Sequence, residues 1–178
     1  MKLQRLYIIL LLMLVPVLLG LSQENTLDTR NGFKAIKFGM VESNFANLDC
    51  RGTSSQGVKW CAFLTTNEDL KKVFQYKFQK VLLGFDKGKL DVITLGREFY
   101  GANKVKESLN LVSAIGENFD RIVGVRGRVV GSAEEGNLGL SWSGKRMSVV
   151  VRSYYNGMDE PCETMVIFTP SIDLNDGF

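Results

Sequence analysis

The sequence predicts an α+β fold: a mainly antiparallel sheet packed against one long helix and one short helix. Three observations lead there. Most apolar segments after residue 31 alternate with a period of two, the mark of half-buried strands. Short turns containing Gly, Asn or Asp join them where a parallel sheet would need helical crossovers. One segment, 102–119, repeats its apolar residues at helical spacing. Strand-rich blocks lie on both sides of that helix, and a shorter helical piece precedes the first. The pattern suggests a duplicated helix-plus-strands unit, with no residue-by-residue repeat behind it.

The elements follow in chain order. Residues 1–22 read as a secretory signal peptide: Lys2 and Arg5, an apolar run over 6–19, then small residues Gly20 and Ser22 before a cut at Gln23. The run is shorter than the ~20 residues a membrane span needs, and Pro16 weakens it as a helix. No cysteine follows the small residues, so no bacterial lipid anchor is expected, and no second long apolar run follows to span a membrane. Residues 23–31 are polar and predict a flexible mature N-terminus. Residues 32–178 are then expected to form a single α+β domain.

Within it, 32–40 reads as a strand with Ile36 and Phe38 on one face. Val41, Phe45 and Leu48 sit at helical spacing and predict a short helix over 41–48. Residues 49–61, "DCRGTSSQGVKWC", are the most loop-like stretch, and 58–65 alternate as a strand. A helical turn is expected at 67–72 with Asn67 as its N-cap. Within 73–85, Phe74, Tyr76 and Phe78 predict a half-buried strand that runs into a more apolar one, followed by a turn at Gly88 and a return strand over 90–95. The helix over 102–119 carries Val105, Leu109, Val112 and Ile115, with Asn103 as N-cap and Gly116 as stop. A strand over 121–131, a hairpin over 138–155 and a last strand over 164–170 complete the chain.

Composition narrows the function. The chain has no histidine, which excludes Ser-His-Asp and Cys-His catalysis and His-ligated zinc. Loss of Lys2 and Arg5 with the leader lowers the 22 basic residues to 20 against 19 acidic ones, a net charge of +1. No broad field toward nucleic acid is expected from that balance.

The motifs resolve mostly to structure. "GLSWSGKR" (139–146) has the Gly-x4-Gly-Lys spacing of a phosphate-binding loop, but Arg146 stands where Ser or Thr would hold magnesium. Alternating Met147, Val149 and Val151 predict a strand after it, where a phosphate loop opens a helix. Glu134 and Glu135, and Asp159, Glu160 and Glu163, read as solvated loop acids; a glycosidase needs two carboxylates facing across a cleft. No catalytic residue, metal ligand or cofactor is assigned. Arg126 and Arg128 are expected to project from one strand face. Tyr154 and Tyr155 are adjacent in a strand, so one points outward. These four residues form the candidate binding surface.

Three cysteines remain after the leader. Cys50 with Cys61 closes a short loop, and Cys61 with Cys162 is the rival pairing. Spacing alone does not choose between them.

"IKFGMVESNF" (36–45), and "LNLVSAIG" followed by "LSWSG", resemble small bacterial envelope domains of the β-lactamase-inhibitor-protein-like group, which includes an outer-membrane assembly lipoprotein family. That resemblance implies helix-plus-antiparallel-sheet units acting through protein contacts without catalysis. The function expected is an exported, secreted or periplasmic, non-catalytic module that binds another protein or an envelope polymer. The alternatives are a carboxylate-based hydrolase of glycans and a carrier with an apolar cavity between helix and sheet.

Overall fold

The computed structural model describes residues 26–132, 136–155 and 157–171. The expected leader, Glu134 and Glu135 lie outside them. An eight-stranded, wholly antiparallel sheet dominates, with one long helix across one face.

The chain enters through a helical turn, α1 (Thr26–Thr29), inside the stretch expected to be loose. Leu27 is buried there, and Asp28 Oδ1 accepts the Lys145 backbone N–H at 2.6 Å. Next comes a miniature hairpin, β1 (Gly32–Phe33) and β2 (Ile36–Lys37), in place of one strand over 32–40. Lys34 takes φ +53° to make the turn, a conformation that alternation alone does not reveal. The helix expected over 41–48 is a single 3-10 turn, Glu42–Asn44. Leu48 already belongs to β3 (Leu48–Thr53), which pairs with β4 (Lys59–Phe63). The loop-like 49–61 stretch is therefore mostly hairpin.

The turn at Glu68–Lys71 forms as expected, with Asn67 Oδ1 accepting the Asp69 N–H at 3.0 Å. Of the two strands expected in succession over 73–85, the first is a hairpin. Phe74 takes φ +54°, so β5 (Lys72–Val73) and β6 (Tyr76–Lys77) make a second miniature hairpin before β7 (Lys80–Asp86). "FKAI" and "VFQY" thus share one local fold: a two-residue turn whose first residue has positive φ. This likeness joins two hairpins in the N-terminal half, and not the two blocks around the long helix.

Lys87 and Gly88, at φ +48° and +79°, turn β7 into β8 (Lys89–Phe99). The helix α2 (Lys104–Val123) runs past Gly116 and ends at Gly124, where φ is +78°. Gly116 is a contact glycine: a Cβ there would stand 2.6 Å from Leu140 Cδ1. The buried stripe of α2 is Ser108, Leu111, Val112, Ile115, Gly116 and Phe119. It is rotated from the expected one, and Val105 lies at its exposed margin. Asn103 is the N-cap by position, with no side-chain capping bond.

After α2 come β9 (Arg128–Ser132), β10 (Asn137–Ser143), β11 (Met147–Tyr155) and β12 (Cys162–Pro170). The strand order is β3-β4-β7-β8-β12-β11-β10-β9. α2 therefore carries the chain from β8 to the far edge, and the last strand returns to pair with β8 at the centre.

One face packs on α2. Its rows include Trp142, Val149, Phe168, Ile93, Leu83 and Cys61, which are strand neighbours in register and all buried. Asp120 fixes the end of α2 to this layer, accepting from Trp142 Nε1 at 2.9 Å and the Gly127 N–H at 2.7 Å. Deeper in, Ser108 Oγ lies 2.8 Å from Ser153 Oγ and 2.7 Å from Thr164 Oγ1. This buried hydroxyl cluster satisfies its members against one another.

Candidate functional site: the open face of the sheet

Side chains alternate across a strand, so every residue beside those core positions points to the other face. Among the described residues no helix or hairpin is packed there. Cross-strand register aligns one row over all eight strands: Arg128, Ser141, Val150, Ile167, Thr94, Leu82, Ala62 and Asp49. The centre of the row is apolar apart from Thr94, and its two ends are charged. Met165 and Trp60 extend the apolar area in the neighbouring rows. Val150, Ile167, Leu82, Trp60 and Met165 are all half-buried, and Thr94 between them is buried.

Glycines flatten this surface. A Cβ on Gly84 would stand 3.2 Å from the Trp60 ring and 3.1 Å from Val92 Cβ. At Gly139 a Cβ would stand 2.7 Å from Arg152 Cβ, and at Gly96 it would collide with the Glu163 carboxylate. Neighbouring side chains lie across the gaps, Trp60 over Gly84 in particular.

At one end of the face sits a charge network. Glu163 on β12 is directly opposite Glu98 on β8. Lys80 on β7 pairs with Glu98 and reaches Glu163 at 3.8 Å, while Tyr100 Oη donates to Glu98 at 2.5 Å. The two carboxyls are driven apart in acidity. Hydrogen bonds from Lys80, then from Tyr100, hold Glu98 below the usual carboxylate range. Burial, reinforced by the Glu98 charge and opposed by Lys80, pushes Glu163 above it. Sequence pattern did not single out Glu98 or Lys80, because no local spacing links them to Glu163. The pair lies side by side on adjacent strands, bridged by one ammonium, which is not the facing geometry across a cleft that glycoside hydrolysis requires. Asp159 and Glu160 are exposed in the 157–161 loop.

The four expected surface residues are not brought together. Arg128 lies on the open face through its register with Ser141, and Tyr154 lies there opposite Glu163. Tyr154 carries Arg152 over its ring at 5.9 Å. Tyr155 points to the opposite face, where the Lys104 ammonium sits 5.3 Å from its ring centroid. Arg126 precedes β9 in an exposed loop, so the two arginines do not share a strand face as expected.

The disulfide is Cys50–Cys61, joining residues directly opposite in β3 and β4. The rival pairing is overturned: Cys162 is free and buried, with Sγ 3.3 Å from Ser153 Oγ. Lys145 lies just before strand β11, so no helix opens after "GLSWSGKR". Among the described residues no cluster of three potential metal ligands occurs, and no helix is long and apolar enough to cross a membrane. Neither protein-family models, nor curated proteins, nor solved structures compared with the chain match it.

Proposed function

We propose that the protein is an exported, non-catalytic interaction module that docks another protein on the open face of its sheet. The observation that carries this reading is the row from Arg128 to Asp49, apolar at its centre and charged at both ends. Protein interfaces have that anatomy, a desolvating apolar core inside a polar rim, with Trp, Tyr, Met and Arg enriched. Trp60, Met165, Arg152 and Tyr154 provide those residue types around the row. The signal-like N-terminus and the Cys50–Cys61 bond support an oxidising compartment outside the cytosol. Kinship with the β-lactamase-inhibitor-protein-like group is part of the same proposal.

Photo-crosslinking in producing cells tests it. A photoreactive residue at Ile167 is expected to capture a discrete protein that the same residue at Lys106, on the exposed side of α2, does not. Val150→Glu should abolish that capture while the thermal midpoint changes little. Identical capture patterns at the two positions would overturn the proposal.

A further inference from the structure

On the other side of the sheet, where the miniature hairpins meet the C-terminal end of α2, a pocket of about 280 Å³ opens. Its wall is apolar: Leu27, Val73, Phe119, Met147 and Phe168 are buried side chains of five different elements. Phe33 and Phe74 supply the two hairpins' contribution to this wall, Phe33 stacked on Phe168 at 4.8 Å and Phe74 edge-on to Phe119 at 5.0 Å. The mouth is of another character. Arg30, Lys34 and Lys72 all border the pocket, and among the described residues no acidic one lines it. Asp69 touches this rim from outside, 3.8 Å from Lys72 Nζ and with its backbone carbonyl accepting from Lys34. Among the described residues, one carboxylate thus stands against these three cations. Asp28, two residues before Arg30, is engaged by the Lys145 N–H, and Glu68 pairs with Lys71 and Lys77.

An apolar wall with convergent polar groups at one end is the form of a small-molecule site. Here the charged groups among them are all cationic. We propose that this pocket takes the alkyl chain of a single-tailed anionic amphiphile, with its carboxylate or sulfate headgroup held at the rim by Arg30, Lys34 and Lys72. The two positive-φ turns acquire a purpose in this arrangement. By reversing the chain at Lys34 and Phe74, they set an aromatic wall residue and a rim cation at each hairpin: Phe33 with Lys34, and Phe74 with Lys72. Burial already holds the Lys34 ammonium below its ordinary value, Asp69 opposes that, and the neighbouring Lys72 charge adds to it. A bound anion relieves the crowding of like charge. The site stands independently of the open face, since Met147 and Phe168 belong to the helix-facing side of β11 and β12.

Calorimetric titration of the purified protein with octanoate, decanoate, decyl sulfate and decanol tests the assignment. Decanoate and decyl sulfate should bind saturably, one per chain, and affinity should rise about fourfold for each methylene added between octanoate and decanoate. Binding should weaken in high salt. The double variant K34E/K72E should lose at least tenfold for decanoate and leave decanol unaffected. Ile122→Trp, which adds bulk at the half-open mouth without entering the core, should weaken all three decyl ligands. Absence of saturable binding would overturn the proposal, because the pocket is then closed or filled by the chain itself. Equal affinity for decanol and decanoate, or decanoate binding unchanged in both variants, would overturn it as well.

Discussion

At the scale of single residues, the opposed acidities of Glu98 and Glu163 make a direct prediction. Glu163 has a raised folded value, so its charged form is disfavoured by folding. Its cost is absent below the unfolded value and builds as pH rises through the window up to the folded one. Glu98 behaves in the opposite sense: its contribution is present above the unfolded value and is lost as pH falls through its lowered folded value. Glu163→Gln should therefore be more stable than the unaltered protein at neutral pH, by up to about 1 kcal/mol. The advantage should shrink toward pH ~4, where the unaltered Glu163 is itself protonated. Denaturant midpoints across that range check this, and a variant less stable at neutral pH would assign Glu163 a net favourable ion pair with Lys80. The sequence placed Glu163 among loop acids for lack of any local signal. Its partner, Glu98, lies 65 residues away in the chain and is found only through strand register.

At the scale of elements, the β3–β4 hairpin depends on its crosslink more than its neighbours do. β3 is an edge strand, paired on one side only, and its register shifts between Cys50 and Thr53. Closing the 11-residue separation between Cys50 and Cys61 restricts the unfolded chain, worth about 3 kcal/mol on the loop-entropy model. Reduction should lower the unfolding free energy by about that much, and Cys50→Ala/Cys61→Ala should match it. Amide exchange should rise first in β3 and β4. Stability unchanged by reductant would show that pairing to β7 suffices to hold the hairpin. Several elements were legible in the sequence: α2, the Asn67-capped turn, the β7–β8 turn at Gly88 and the β10–β11 hairpin all carry strong local periods or turn residues. The two miniature hairpins were not. "GFKAIKF" and "VFQYKF" alternate like continuous strands, and the turns rest on Lys34 and Phe74, residue types that rarely adopt positive φ. Tertiary packing, with Phe74 against Phe119, overrides the local preference.

For the whole molecule, the order of strands has a consequence for folding. β12 is the last strand among the described residues and a central one, lying between β8 and β11 with its inward residues Cys162, Thr164, Val166 and Phe168 all buried. The sheet is incomplete until β12 is in place. A chain ending at Pro161 should show no cooperative thermal transition, because two halves of the sheet, β3-β4-β7-β8 and β9-β10-β11, then have no strand between them. A sharp melting transition in that truncated chain would show that one half folds alone. Such late pairing between distant segments also makes for slow folding.

The sequence by itself determined the α+β class, the antiparallel character, the position of the long helix and the absence of histidine chemistry. These follow from composition and from periods of two and 3.6 residues, which act over a few residues at a time. Which cysteines pair, which face of the sheet is left open, and where the pocket with its cationic mouth forms were decided only by the tertiary structure. Each depends on strand order and register, which bring together residues tens of positions apart. Hydrophobic burial selects that register: moving one strand by one residue would exchange its core-facing side chains for its open-face ones.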